Sequence, residues 1–345
     1  MTQDYLRWVA DSTKTTWWHD SAEPNELAVG LERGAVGVTT NPFLAALALS
    51  RHREQWSDEI RAVFAEGLEP EERAGALMGI AVRHAAKQVY GEFENSKKEM
   101  GYVCAQVNPA RAANREAMLR MARRFSRWAP NIAVKLPATA AGLDVLEDCT
   151  AEGITCTLTV SFTLPQVLAT AERYRKGIER AASNRVEPGK CFSVIMIGRL
   201  DDYLREVAHD RQAGVTEEDI RQAGLAVTKR ACSLYRERGY ETVIIVAALR
   251  GTYHLTELAG AEVTMSIAPS YQEQLVSPDL PHEERMDVPI DEDVIERLAT
   301  LPEFIQAYEP EGMKPPEFIT YGVTQKTLAQ FYESGWKLLE NFEDV

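Results

Sequence analysis

The sequence predicts one α/β domain folded as a (β/α)8 TIM barrel, a closed cylinder of eight parallel strands with helices around it. Short apolar runs alternate with longer amphipathic runs roughly eight times, as repeated β-then-α units do. No Gly-x-Gly-x-x-Gly follows the first apolar run, which weakens the competing open, doubly wound sheet. The 345 residues, of which 45% are hydrophobic, are enough for one large core.

The predicted strands are short apolar runs, and amphipathic helical patterns lie between most of them. The strands cover residues 15–20, 36–39, 102–107, 132–136, 155–160, 191–197, 242–248 and 263–266. The helices cover residues 24–33, 109–128, 141–151, 164–182, 201–210 and 217–238.

A single domain is predicted over residues 1–345. Two of its segments are additional to the eight β-then-α units of a minimal barrel. Residues 45–94 are predicted as a helical insertion after the second strand. Residues 271–345 are predicted as a C-terminal loop and helix that pack on the barrel. Residues 277–289 are rich in proline and acids, which indicates a surface loop. We expect one face of the amphipathic run 324–342 to pack through Leu328, Phe331, Trp336 and Leu339.

The composition excludes several classes of protein. The net charge of −14 argues against a nucleic-acid or anionic-membrane surface but allows a small anionic substrate in a local basic pocket. The five cysteines form no Cys-x-x-Cys pair, which favours a reduced, cytoplasmic compartment. We expect no signal peptide, no membrane span, no metal and no cofactor, since the corresponding motifs are absent. Association of identical copies is compatible with the sequence.

Lys135 is the one charged residue in the predicted strand 132–136. Ile132, Val134 and Leu136 share one face of this strand, and Lys135 lies on the other. Burial among aliphatic side chains favours the neutral amine, which is the form that attacks a carbonyl. The stretch therefore suggests a Schiff-base lysine, whereas the alternative is a strand-end lysine whose ammonium extends to water.

Other polar residues fall at the same ends of the predicted strands, where the catalytic groups of parallel barrels lie. With Lys135 they are Asp20, Thr39, Asn41, Gln106, Thr157, Thr159, Arg199 and Arg250. Each one alone also fits a structural role: a helix cap for Asp20, a turn for Thr39 and Asn41, strand propensity for the threonines, and surface ion pairs for the arginines. Together they predict a polar barrel mouth. His19, next to Asp20, is expected to be structural.

The motifs as a set resemble the transaldolase family. The first signature is Asp20-Ser21-Ala22 with Gly37-Val38-Thr39-Thr40-Asn41-Pro42, and the second is Val134-Lys135-Leu136-Pro137-Ala138-Thr139 with Gly142 and Glu152-Gly153-Ile154. The stretch from Tyr240 to Arg250, then Leu258-Ala259-Gly260 and Ile267-Ala268-Pro269, resembles the last part of that family's barrel. The resemblance covers about residues 15–275 and, more loosely, the C-terminal helix.

The resemblance implies a cofactor-free barrel whose Lys135 forms a Schiff base with a ketose. It implies that Asp20 is the base at the C4 hydroxyl, that Asn41 binds the hydroxyls of a dihydroxyacetone unit, and that Thr159 holds a catalytic water. Arg199 and Arg250 would bind the substrate phosphate. Asp11 also ends a short apolar run, but its longer spacing to Thr39 favours Asp20.

The chain departs from the family pattern at the water and phosphate sites. Gln106 stands where classical transaldolases have Glu, and it resembles the fructose 6-phosphate aldolase branch. Ala248 replaces a phosphate-binding Ser, Met196 replaces an aromatic residue, and Val194 stands near the usual strand-six Ser. Three hypotheses follow: a transaldolase that transfers a dihydroxyacetone unit, an aldolase that releases dihydroxyacetone, and a barrel that only binds a sugar phosphate.

Overall fold

Eight parallel strands form one closed barrel in which each strand pairs with its neighbour in sequence and the last pairs with the first. The computed structural model describes residues 4–276 and 280–344. The strands are β1 (Thr16–Asp20), β2 (Val38–Thr39), β3 (Val103–Gln106), β4 (Ile132–Pro137), β5 (Cys156–Thr159), β6 (Cys191–Met196), β7 (Val243–Ala247) and β8 (Val263–Ile267). The predicted fold class is therefore confirmed, and every predicted strand is present.

Helices surround the barrel and extend beyond it at both predicted additions. The first six are α1 (Tyr5–Ser12), α2 (Pro24–Glu32), α3 (Pro42–Arg51), α4 (Ser57–Ala65), α5 (Pro70–Gln88) and α6 (Tyr90–Asn95). The next five are α7 (Arg115–Phe125), α8 (Ala140–Ala151), α9 (Leu164–Asn184), α10 (Ile197–Asp210) and α11 (Glu217–Arg238). The last six are α12 (Tyr253–Thr256), α13 (Pro269–Leu275), α14 (Glu292–Leu298), α15 (Pro302–Tyr308), α16 (Gly322–Phe331) and α17 (Lys337–Glu340).

Two predicted helices differ from the structure for local reasons. The helix predicted over 109–128 begins with a separate 3-10 turn, Pro109–Arg111, and α7 starts only at Arg115. Asn114 accounts for this start, because its side chain accepts a hydrogen bond from the backbone N–H of Ala117 as an N-cap does. The helix predicted from residue 201 starts earlier, at Ile197, so Arg199 lies in the first turn of α10.

Aromatic side chains fill the barrel interior toward the amino ends of the strands. The ring centroid of Phe192 lies 4.8 Å from that of Trp18 and 5.3 Å from that of Tyr102, and both contacts are edge-to-face. Asp20 lies two residues beyond Trp18 on the same strand face, and Gln106 lies four residues beyond Tyr102. Aromatic side chains therefore fill the interior toward the amino ends of the strands, and polar residues lie at the carboxyl ends.

The C-terminal helices pack against the helical insertion. A π-helical turn, Tyr332–Trp336, joins α16 to α17, and Trp336 is fully buried. A β-carbon at Gly335 would lie 2.9 Å from the backbone nitrogen of Phe43, so glycine allows this turn to approach α3 closely. The Arg73 side chain of α5 donates to the carbonyl oxygen of Glu340, at 3.0 Å. The predicted apolar face is confirmed, because Phe331, Trp336 and Leu339 are buried and Leu328 is partly buried.

Part of the predicted surface loop 277–289, residues 277–279, lies outside the described residues. The remainder, residues 280–289, has no helix or strand and is largely exposed. Among residues 4–276 and 280–344, none of the helices combines the length and apolarity needed to cross a membrane.

Candidate active site

Lys135 lies inside the barrel near the carboxyl end of β4. Its register partners are Gln106 on β3 and Thr157 on β5, so these three residues sit side by side in the sheet. The residue is only 7% exposed, and its Nζ donates to the carbonyl oxygen of Thr40 at 3.4 Å. The amine is thus enclosed by the barrel, which disagrees with the alternative of a lysine whose ammonium extends to bulk water.

Asp20 belongs to a hydroxyl–carboxylate cluster at the end of β1. The Thr39 hydroxyl donates to Asp20 Oδ1 at 2.8 Å, and the Ser266 hydroxyl lies 2.5 Å from that of Thr39. Burial raises the pKa of Asp20 above its ordinary value, while the positive charge of Lys135 and the hydroxyl hydrogen bonds act in the opposite direction. The carboxylate of Asp20 and the amine of Lys135 therefore interact electrostatically across the barrel mouth.

Gln106 presents an unused acceptor beside Lys135. The residue is 3% exposed, and its Oε1 is buried without a hydrogen-bond partner among the described residues. An unpaired buried amide oxygen costs free energy, so this position suits a bound water or a substrate hydroxyl. Thr159 is also buried, and its hydroxyl lies 3.9 Å from Met196 Sδ, a weak acceptor.

Thr157 and Asn41 are both committed to structural contacts. The Thr157 hydroxyl accepts from Cys104 Sγ at 3.6 Å, and burial raises the pKa of the Cys104 thiol. Asn41 is the N-cap of α3, where its Oδ1 accepts from the backbone N–H of Leu44 at 3.0 Å. The turn role weighed for Asn41 is therefore real, and it leaves the amide N–H groups as the part that can donate to a ligand.

Arg199 and Arg250 line one pocket of about 330 Å³ between α10 and α16. Arg199 donates to Gln330 Oε1 at 2.7 Å, and its guanidinium lies 5.1 Å from the centre of the Phe331 ring. Burial and the nearby charge of Arg250 lower the pKa of Arg199. Arg250 donates through Nε to Asp202 Oδ2 at 2.8 Å. The ion pair considered for Arg250 is present, and it holds this guanidinium in the same pocket as Arg199.

A buried pair behind the arginines had no signal in the sequence. His254 Nε2 lies 2.9 Å from Asp201 Oδ2, and both side chains are fully buried. His254 Nδ1 accepts from the backbone N–H of Arg250 at 3.1 Å, so Nε2 carries the proton donated to Asp201. Burial raises the pKa of Asp201. The pair fixes the loop that carries Arg250 to the helix that carries Arg199.

Two residues at strand ends have left-handed backbones although they are not glycine. Val160 follows β5 with φ +54°, and Ala248 follows β7 with φ +59°. Such conformations cost on the order of 1–3 kcal/mol each and concentrate at functional sites. They lie beside Thr159 and two residues before Arg250, so the strain coincides with the candidate site.

The two competing residues near β1 do not join the site. His19 packs against Gly30 and pairs with Gln272, and burial lowers its pKa to about 4, so it is a neutral structural histidine. Asp11 is exposed in α1, which precedes β1, so it does not follow a strand of the barrel. In the part of the chain that the structure describes, no group of three or more His, Cys, Asp or Glu residues could hold a metal ion.

Comparison with known proteins finds one family model and several curated relatives similar to this chain. The family model for Transaldolase/Fructose-6-phosphate aldolase matches residues 17–340. A transaldolase of Neisseria gonorrhoeae is 31% identical over 198 residues, which are 56% of this chain and 56% of that protein. A transaldolase of Thiobacillus denitrificans is 32% identical over 233 residues, 64% of this chain and 62% of that protein. A probable transaldolase of Dehalococcoides mccartyi is 27% identical over 251 residues, 72% of this chain and 84% of that protein.

The match to the first of these relatives thus spans little more than half of the relative's own length, 56%. The family model, in contrast, runs from β1 to α17 and includes every strand of the barrel. This chain belongs to the transaldolase/fructose-6-phosphate aldolase family.

Proposed function

We propose that this protein transfers a dihydroxyacetone unit between sugar phosphates through a Schiff base on Lys135. The observation that supports the proposal most is the enclosed amine of Lys135, which interacts electrostatically with the carboxylate of Asp20 in the same barrel mouth. A nucleophilic amine and a base in one mouth are the two groups that this reaction requires.

The amine adds to the ketone carbon of the donor, and loss of water gives a protonated imine. Asp20 then takes the proton of the C4 hydroxyl, the C3–C4 bond breaks, and its electron pair moves into the imine to form an enamine. The first aldehyde leaves, and the enamine forms a new C–C bond with an acceptor aldehyde, whose carbonyl oxygen takes the proton back from Asp20. Hydrolysis of the resulting imine then releases the product ketose and frees Lys135. The iminium withdraws electrons and so supplies the driving force for cleavage.

The remaining residues bind and orient the substrate in this proposal. The free amide N–H groups of Asn41 donate to the donor hydroxyls, and Thr39 orients the Asp20 carboxylate. Gln106 Oε1 and Thr159 hold the water that adds to the imine, and Thr157 lines the wall beside Lys135. Arg199 and Arg250 bind the phosphate, because guanidinium groups pair with phosphate oxygens in a bidentate manner.

A second candidate activity is the lyase reaction, in which the enamine is protonated and dihydroxyacetone is released. Gln106 favours it, because Gln at this position resembles the fructose 6-phosphate aldolase branch of the family. We infer a cytoplasmic location for either reaction, since all five cysteines are free and buried.

The transfer and lyase reactions can be distinguished because only transfer requires an acceptor aldehyde. The purified protein is incubated with fructose 6-phosphate alone and then with erythrose 4-phosphate added, and glyceraldehyde 3-phosphate is measured. Transfer predicts product only when the acceptor is present. Equal product without acceptor would instead identify a lyase, and no product under either condition would contradict both activities.

A further inference from the structure

The pocket that holds Arg199 and Arg250 has one wall from the barrel helix α10 and another from the C-terminal helix α16. The α10–α16 pocket, of about 330 Å³, is lined by Arg199 and four other residues of α10, by Arg250, and by four residues of α16 that include Lys326, Thr327 and Gln330. This volume lies at the small end of ligand pockets, about 300–1,000 Å³. Four of the lining residues come from α16 and one from the loop after β7, so helices supply most of the wall.

The pocket is positive in a strongly negative protein. Four cationic side chains line it against two carboxylates, those of Asp202 and Glu206, whereas the whole chain carries a net charge of −14. Lys326 is the only one of the four cations that α16 supplies, and it pairs with Glu206 across the pocket. A local excess of cations is what a small dianion such as phosphate requires.

Two polar groups at this pocket are buried and lack a partner. Thr327 is fully buried in α16, yet its hydroxyl has no hydrogen-bond partner among the described residues. Helical threonines commonly return such a bond to the carbonyl four residues earlier. The Nε of Arg199 is also buried without a partner among the described residues. Buried unpaired donors are costly, and an anion in the pocket would accept from both.

We propose that α16 completes the phosphate site, with Lys326 and the Thr327 hydroxyl binding phosphate oxygens together with Arg199 and Arg250. Thr327 thereby supplies a hydroxyl, which Ala248, two residues before Arg250, lacks. Gln330 holds Arg199 in place through its Oε1. This inference rests on the proposed function and deepens it: α16, and not the barrel alone, selects for the phosphate group of the substrate.

Matched variants test the inference. Thr327→Val removes the hydroxyl at nearly constant volume, and Thr324→Val is its control, since Thr324 is equally buried and unpartnered in α16 but does not line the pocket. Lys326→Met removes the cation, and Lys337→Met is its control, since Lys337 also forms an exposed ion pair, with Glu333 at 2.6 Å. The measurements are the Kd of inorganic phosphate by calorimetry and the KM for fructose 6-phosphate.

We expect Thr327→Val and Lys326→Met each to weaken phosphate binding about 3- to 10-fold, the loss of one hydrogen bond or one exposed charge contact, with a matching rise in KM. Both controls should bind like the natural protein. If the pocket variants also bind phosphate unchanged, α16 is not part of the site and the inference is wrong. Adduct formation at Lys135 with dihydroxyacetone, which has no phosphate, reports on the proposed function separately.

Discussion

At the scale of single residues, Asp20 is placed to work as a base whose pKa lies above the ordinary value of an aspartate. Burial raises its pKa above the ordinary 3.8, against the lowering effects of Lys135 and two hydroxyl groups. A base acts only when it is deprotonated, so activity is lost as the pH falls through this raised pKa. We predict an acid limb of kcat/KM whose midpoint lies above pH 4. A profile that stays flat down to about pH 4 would contradict the role of Asp20.

Asp20→Asn tests the same role without a change of pH. The amide keeps the size of the side chain and can still bond to the Thr39 hydroxyl, but it cannot accept the C4 proton. We predict that kcat falls about 10²- to 10⁴-fold, the usual contribution of a general base. Asp11→Asn, an exposed carboxylate in α1, is the control and should have the activity of the natural protein. Activity within a few-fold for Asp20→Asn would assign the base to another group.

The site residues that could be predicted from the sequence are those whose inward direction follows from the alternation of side chains along a strand. Alternation is a local property, so it placed Lys135, Gln106 and Thr157 on inward faces, where the structure has them side by side. Ser266 was missed as a partner of Thr39, because the two lie 227 residues apart and meet only when β8 closes against β1. The Asp201–His254 pair was missed for the same reason, since no local pattern marks it.

At the scale of secondary structure, α8 is fitted tightly to the end of the lysine strand. A β-carbon on Gly142, in the first turn of α8, would overlap the carbonyl oxygen of Pro137, which ends β4. A backbone atom cannot move aside as a flexible side chain can. We predict that Gly142→Ala lowers the free energy of unfolding by about 3 kcal/mol and displaces Lys135, measured by urea denaturation and activity.

Gly91→Ala is the control for Gly142→Ala. It lies in helix α6, and a β-carbon there would meet no atom within 4 Å. Gly91→Ala should leave stability unchanged or raise it by up to about 1 kcal/mol, because alanine is the better helix former. Equal stability of the two alanine variants would show that the contact at Gly142 is not a constraint.

The elements themselves were predictable because the strands are largely buried and therefore appear as short, mostly apolar runs. The amino end of α10 was placed four residues late, since Gly198 and Arg199 resemble a loop in sequence. In the structure they form the first turn of α10. Arg199 therefore projects from a helix, and its guanidinium lines the α10–α16 pocket. Helix ends depend on caps and neighbours, which apolar periodicity does not report.

At the scale of the whole molecule, Trp336 ties the C-terminal helices to the insertion and the barrel. Its ring is fully buried, and its Nε1 donates to Glu340 at 3.1 Å. We predict that Trp336→Ala costs about 3–5 kcal/mol, the usual loss for a buried aromatic residue. If residues 1–345 form one domain, thermal unfolding remains a single transition at lower temperature. A separate early transition would show that the C-terminal helices unfold as an independent unit.

The central claim is that the enclosed amine of Lys135 forms a Schiff base with a ketose. Sodium borohydride reduction in the presence of fructose 6-phosphate or dihydroxyacetone, followed by peptide mass spectrometry, tests it directly. The account predicts a covalent adduct on the peptide that contains Lys135, lost in Lys135→Ala and retained in Lys98→Ala, a lysine in an exposed turn. An unmodified Lys135, or an adduct that survives Lys135→Ala, would contradict the account.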